Sequence, residues 1–376
     1  MKPFSATLLL ALVLVVLGGC GGQTGTVPRE LDPAFADSLF AAYDGNVPGA
    51  AVLVLRNGRP VVARAYGLAD LENGVPVEPA TNFRLASITK QFTATAILRL
   101  VESGRLSLDA SLTELFDDFP AYGAAITVRH LLTHTSGLRD YDDGSMIPDT
   151  TTVPVLDADV LAMMASVDST LFPPGSAYRY SNSGYAVLAQ IVERVSGERF
   201  EDYLRTHLFE PAGMDSTVAF VNGRNTVPKR AFGYAETDSG FVFRDQSLTS
   251  AVLGDGGIYS SVVDLAAWDA ALTKGVLVDP VIWRLAWTPQ VTIPAAGADA
   301  DDVAPQTTEA SYGFGWRLDT FGGHRRMHHT GSTSGFRNVI QRYPEAGVTI
   351  IILTNRAGPD VAPLADRLAK WVLPAR

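Results

Sequence analysis

Apolar and polar positions along this chain follow two different periods, and the places where the period changes divide it into parts. Pro33 to Tyr43 has the spacing of a short amphipathic helix. Ala50 to Arg56 and Val61 to Tyr66 are β-rich runs on either side of Asn57-Gly58, the strongest short-range signal for a hairpin. From about Ser87 to Leu285 the pattern becomes mainly helical. Phe92, Ala96, Ile97, Leu100 and Val101 recur at helical spacing and stop at Gly104. Val128 to Thr133, Asp157 to Ser166, Ser183 to Val195 before Gly197, and Phe200 to Leu208 follow. Ser261-Val262-Val263-Asp264 reads as a variant capping box opening a helix that runs through Leu265, Trp268 and Leu272. Strands return at Tyr312 to Leu318, His324 to Thr330, Phe336 to Tyr343 and Val348 to Thr354, and Val361 to Val372 forms a last helix.

Both ends are therefore β-rich and the middle is helical. The economical packing is a single antiparallel sheet built from N- and C-terminal strands, with terminal helices on one face and the helical insertion on the other. This predicts an α/β protein of the α+β type, with a sheet lobe of about 31–86 and 287–376 and a helical lobe of about 87–286. The cleft where insertion meets sheet is the default site. Ala295 to Thr308, with Asp299, Asp301 and Asp302 among small residues, reads as an exposed loop, with a lid as the alternative. With 376 residues, 47% of them hydrophobic, the chain can bury a large core and is not disordered. A net charge of −10 and the lack of any basic stripe exclude nucleic acid as a partner.

The N-terminus carries an address. Lys2 supplies a positive end and Phe4 to Leu17 an apolar run short for a bilayer span, so residues 1–19 read as a secretory signal. It ends at Leu17-Gly18-Gly19-Cys20, which resembles a bacterial lipobox. That resemblance implies a lipidated Cys20 as the mature N-terminus, hence an exported, membrane-anchored protein of the bacterial cell envelope. The alternative is an ordinary cleaved signal with a chance cysteine. Residues 20–30, rich in Gly and Thr, read as a tether reaching at most about 30 Å from a lipid surface. Cys20 is the only cysteine, so no internal disulfide can form.

Candidate chemistry centres on Ser87-Ile88-Thr89-Lys90. Residues three apart share a helix face, so a hydroxyl and an amine converge there. The lysine stands out because only five of the 30 basic residues are lysine. Arginine cannot release its proton, whereas a desolvated lysine can. Two further stretches carry polar groups at turns: Phe172-Pro173-Pro174-Gly175 running on to Tyr180-Ser181-Asn182, and His329-Thr330-Gly331-Ser332 on a predicted strand. No Gly-x-Ser-x-Gly elbow, dinucleotide fingerprint or P-loop occurs, so no cofactor is expected. A metal is not expected either. His130 and His134 lie four apart and His324, His328 and His329 cluster, but no His-Glu-x-x-His occurs and strand alternation sends His328 and His329 to opposite faces. His130 and His134 are expected to pack or to bond a loop.

Ser-x-x-Lys, Tyr-x-Asn and basic-Thr-Gly, in this order and at these separations, resemble the serine beta-lactamase and penicillin-binding-protein superfamily. The resemblance is closest to class C beta-lactamases and their relatives among serine esterases and D-amino-acid peptidases. His130 to Leu138 (HLLTHTSGL), Pro211-Ala212-Gly213-Met214 and Gly256-Gly257-Ile258-Tyr259-Ser260 extend it, so that it covers about Leu31 to the C-terminus. It implies a beta-lactamase/transpeptidase-like fold, with Ser87 as the acylated nucleophile and Lys90 as its proton partner. Tyr180 is implied as the second member of the base system, a phenolate stabilised by the Lys90 charge. Asn182 is implied to hold the substrate amide and orient Lys90, and the amides of Ser87 and Ser332 to form the oxyanion hole. The blander roles are a helix cap for Ser87, a surface charge for Lys90, a core ring for Tyr180, a helix N-cap for Asn182 and a plain strand position for His329. His329 departs from the class C pattern, which has lysine there; Arg337 is expected on a solvated rim, with supply of the missing charge the alternative.

The function this implies is an exported serine hydrolase working through an acyl-Ser87 intermediate on small esters, amides or D-amino-acid peptides. The alternatives are a beta-lactamase or D,D-carboxypeptidase acting on cell-wall peptides, and a lipoprotein that binds muropeptides or penicillin without turnover.

Overall fold

The two β-rich ends of the chain pair with each other. In the computed structural model, which describes residues 33–294 and 310–376, the hairpin β1 (Ala50–Arg56) and β2 (Arg59–Tyr66) turns through Asn57 and Gly58, both at positive φ. The later strands are β3 (Val291–Thr292), β4 (Ser311–Tyr312), β5 (Arg317–Phe321), β6 (His324–Thr333), β7 (Phe336–Tyr343) and β8 (Val348–Thr354). They form one eight-stranded sheet in the order β3-β4-β5-β6-β7-β8-β1-β2. Every pairing is antiparallel, and β1 lies against β8 with Ala50 opposite Thr354. The N-terminal hairpin thus completes the sheet begun by the C-terminal strands, and this is the α+β architecture expected.

The helices cover that sheet. All seven residues of β8 are buried, so both its faces are packed, which is why it reads as an almost unbroken apolar run. The terminal helices α1 (Pro33–Leu39) and α6 (Ala362–Val372) meet through Phe35 and Trp371, ring centroids 4.9 Å apart. The insertion contributes α2 (Lys90–Glu102), α3 (Asp157–Ala165), α4 (Asn182–Ser196) and α5 (Val262–Lys274). Ten of the thirteen residues of α2 are buried, Lys90 among them. Burying that much of a helix puts it inside the insertion rather than on its surface. Among the described residues no helix is long and apolar enough to cross a membrane.

Three local expectations need correction, and the alternative role of Asn182 as a helix cap falls away. Tyr312 to Leu318 is not one strand: β4 ends at Tyr312 and β5 begins at Arg317, with a turn between them. Gly315 makes that turn at φ 74°, and a Cβ there would stand 2.7 Å from the Lys90 carbonyl oxygen, so the turn packs directly on the start of α2. At α5 only half of the capping box forms. The Ser261 hydroxyl accepts from the Asp264 amide, but the Asp264 carboxylate turns away to accept from the Ser216 amide and the Ser216 and Thr217 hydroxyls. Ser87 precedes the α-helix, in a 3-10 turn over Ala86–Thr89. Asn182 does not cap α4; Ser181 does, its hydroxyl accepting from the Gly184 amide. The signal over 1–19, Cys20, the tether and the segment Ala295 to Thr308 lie outside the described residues.

Candidate active site

The nucleophile turn is made by close backbone approach. Ala86 holds φ 50°, in the left-handed region that L side chains rarely take, and this bends the chain immediately before Ser87. Two sheets clamp the turn. The small sheet of Phe83–Arg84, Ile258–Ser260 and Val218–Ala219 holds one side, with the Leu85 amide donating to the Ile258 carbonyl at 2.8 Å. On the other side β6 comes so near that a Cβ on Gly331 would lie 2.0 Å from the Leu85 carbonyl oxygen. Asn338 of β7 ties the same segment down, donating to the Arg84 carbonyl at 2.8 Å. Gly331 therefore belongs to the site through the side chain it lacks.

Lys90 is fully buried, and its Nζ lies 3.1 Å from Ser87 Oγ, 2.7 Å from Asn182 Oδ1 and 3.1 Å from the Asp255 carbonyl oxygen. The last two groups can only accept. A neutral amine can give both its hydrogens to them and turn its lone pair to the Ser87 hydroxyl, while an ammonium can donate to all three. The Ser87 proton can thus pass to Lys90 without disturbing the amine's other contacts. Asn182 is oriented in turn, its amide NH2 donating to Asp142 at 3.2 Å and its backbone N–H to Asp140 at 3.0 Å.

Tyr180 completes the group. Its ring centroid is 4.8 Å from Lys90 Nζ and 5.6 Å from the Arg317 guanidinium carbon, and it is 7% exposed. Burial pushes its pKa well above that of a free phenol, against the opposing pull of the Ser87 hydroxyl and Arg317. Tyr180 therefore rests as a phenol rather than as the phenolate the resemblance implied.

His329 is a buried, neutral group. Its Nδ1 lies 2.7 Å from the Thr330 carbonyl oxygen, which fixes the hydrogen on Nδ1 and leaves Nε2 to accept from the Tyr312 hydroxyl at 3.0 Å. Burial first, and Arg317 second, push its pKa well below that of free imidazole. The cation at this end of the cleft is Arg317, while Arg337, the alternative source of that charge, bonds the Thr333 and Phe336 carbonyls. Ser87, Tyr180, Asn182, His329, Thr330 and Ser332 all line one cleft with Arg84, Arg317, Tyr141, Asp142 and Asp255.

Several groups here carried no recognisable sequence signal. The Asp255 carbonyl is backbone, 165 positions from the amine it meets. Its carboxylate accepts from the Tyr141 hydroxyl at 2.7 Å, and burial raises its pKa to about 6 against the pull of Lys90. Asp140 and Tyr141 lie two and three residues beyond the HLLTHTSGL stretch, which was the one available pointer to them.

A family model described as Beta-lactamase matches residues 36–373. A penicillin-binding protein of Bacillus subtilis is 29% identical over 323 residues, 81% of this chain and 67% of that protein. A D-aminopeptidase of Cereibacter sphaeroides is 29% identical over 337 residues, covering 89% of this chain but 61% of the longer relative. The structure of an octameric penicillin-binding protein homologue from Pyrococcus abyssi superposes with a TM-score of 0.75 at 28% identity, over 90% of this chain and 76% of the other. The match of nearly the whole described chain, around a buried lysine held against a serine, places it in the Beta-lactamase family of serine hydrolases.

Proposed function

We propose that this protein hydrolyses small esters, amides or D-amino-acid peptides through an ester formed on Ser87. The observation that carries the reading is the desolvated Lys90 amine 3.1 Å from the Ser87 hydroxyl, with its other hydrogens taken by two acceptors. In acylation the Ser87 proton goes to Lys90 and Oγ bonds the substrate carbonyl carbon. The amides of Ser87 and Ser332 receive the oxyanion that forms. Collapse breaks the bond to the leaving group, which takes a proton from the Tyr180 hydroxyl. Tyr180 regains a proton from the Lys90 ammonium, and water hydrolyses the acyl ester by the reverse relay.

The D-aminopeptidase and penicillin-binding-protein relatives support a D-aminoacyl substrate. One feature favours a second reading, a D,D-carboxypeptidase: Arg317 puts a permanent cation in the cleft, where a substrate carboxylate could pair with it. Neutral His329 supplies no such charge. Comparing turnover of a D-alanyl anilide, a D-Ala-D-Ala peptide and a chromogenic cephalosporin separates the readings. Preference for the anilide supports the first, preference for the peptide the second, and labelling without turnover of any of them would make the protein a binder. The lipobox-like Cys20 supports an exported, lipid-anchored location in the cell envelope.

A further inference from the structure

His134 is buried, its φ of 58° lies in the left-handed region, and no step of the proposed reaction uses it. Three of its contacts fall on the Tyr180 segment, beside ring contacts with Tyr178, Tyr185 and Tyr312. The His134 carbonyl oxygen accepts from the Arg179 amide at 2.9 Å, and His134 Nδ1 accepts from the Ser181 amide at 3.1 Å. These are the two backbone amides that flank Tyr180. Between them the imidazole lies against the Tyr180 ring, centroids 4.3 Å apart and planes inclined at 31°. The imidazole also meets Tyr312 at 4.6 Å and 68°, and Tyr312 in turn bonds His329.

Packing alone does not account for an imidazole here. Nδ1 accepts, so the neutral ring carries its hydrogen on Nε2, and Nε2 is buried without a hydrogen-bond partner. A leucine or phenylalanine would fill the same space without burying an unpartnered ring N–H. What an apolar residue could not do is accept the Ser181 N–H. The left-handed backbone serves the same end, because it lets one residue present both its carbonyl and its ring nitrogen to the Tyr180 segment. Burial, and next the nearby Lys90 charge, keep the imidazole neutral and so keep Nδ1 an acceptor.

We infer that His134 is a positioning residue for Tyr180, a three-point clamp that aims the phenol at the group that leaves the substrate carbonyl carbon as Ser87 is acylated. The inference rests on the hydrolase reading above, with Tyr180 as the donor of the leaving-group proton. It predicts an effect that depends on the leaving group. Nitrophenolate departs without a proton, whereas the nitrogen of an anilide must receive one to leave.

The test compares His134→Gly and His134→Asn with the wild type on nitrophenyl acetate and on a D-alanyl anilide. Glycine keeps the left-handed backbone but removes ring and acceptor, while asparagine tolerates that backbone and restores an acceptor for Ser181. The expected result is a fall in kcat of about tenfold or more on the anilide in His134→Gly, since general acid catalysis typically contributes about 10²–10⁴-fold. The nitrophenolate burst, which reports ester acylation before deacylation calls on Tyr180, should change by less than about threefold, and His134→Asn should recover part of the anilide rate. Circular dichroism checks that both variants are folded. Equal losses in the ester burst rate and in anilide turnover, or anilide rates equal to wild type in both variants, would overturn the inference. Wild-type protein that forms no adduct on Ser87 would instead overturn the hydrolase reading, so the two failures are distinguishable.

Discussion

At the scale of single residues, the proposed reaction sets a requirement on the amine at position 90 that arginine could not meet: it must be able to take up and lose a proton in a dry place. Lys90→Ala should slow Ser87 acylation by about a thousandfold, the size of a lost proton acceptor. Lys90→Arg should be as slow, because a guanidinium keeps its charge and cannot take the serine proton. Stopped-flow measurement of the acylation rate, with melting curves as the fold control, checks both; a rate near wild type in Lys90→Arg would remove Lys90 from the base role. Ser87 and Lys90 were legible in the sequence through residue type and short spacing, whereas Tyr180 was pointed to only by the resemblance to a known family. The Asp255 carbonyl and the Tyr312-to-His329 bond were not, since a backbone atom has no residue type and contact across the fold leaves no local pattern. His329 shows the limit in another way: its identity gave the third motif, but only its burial and two hydrogen bonds show it to be neutral.

Elements reach the site by how closely they approach one another. Strand β6 can lie against the nucleophile turn only because Gly331 has no Cβ, and Gly331→Ala would force the two apart, with 2.0 Å available to the Leu85 carbonyl. A displacement of about 1 Å at a reacting group can cost about a hundredfold, so kcat/KM of Gly331→Ala should fall by about that factor. An unchanged value would mean that the strand does not position the turn. A second tie is remote from the chemistry. Arg326 on β6 pairs with Asp319 on β5 and with Asp366 on α6, all three largely buried, and Gln341 on β7 also donates to Asp366. Arg326→Met leaves two carboxylates without their cation and should destabilise the protein by about 3–5 kcal/mol in urea unfolding, with kcat unaltered. Burial pushes the Asp319 carboxyl up, but Arg326 and His328 outweigh it and hold it well below the usual range. A depressed folded-state value means that this stability is complete above the ordinary carboxylate pKa of about 4 and is lost as pH falls below it. Wild type should therefore weaken between about pH 4 and pH 2 more steeply than Asp319→Asn; parallel curves would contradict the assignment. The main elements were legible from periodicity, while the break at Gly313–Trp316 was not, because Gly315 answers to the backbone of α2 rather than to its own strand.

For the whole molecule, the order of elements carried the architecture: strands at both ends and helices between them left one economical sheet, and β1 pairing with β8 is what closes it. The same arrangement puts the nucleophile where insertion and sheet meet, so one turn borrows rigidity from both lobes. The anchoring proposal also belongs to this scale. Cys20→Ala should move the protein from the membrane to the soluble fraction without altering its specific activity, and retention on the membrane would refute anchoring through Cys20. The central claim is that Ser87 carries the acyl group. Intact-mass measurement with peptide mapping, during turnover of a slowly deacylated ester, tests it most directly. The account predicts one added acyl mass, located on Ser87, absent from Ser87→Ala and strongly delayed in Lys90→Ala. An adduct on another residue, or hydrolysis undiminished in Ser87→Ala, would contradict it.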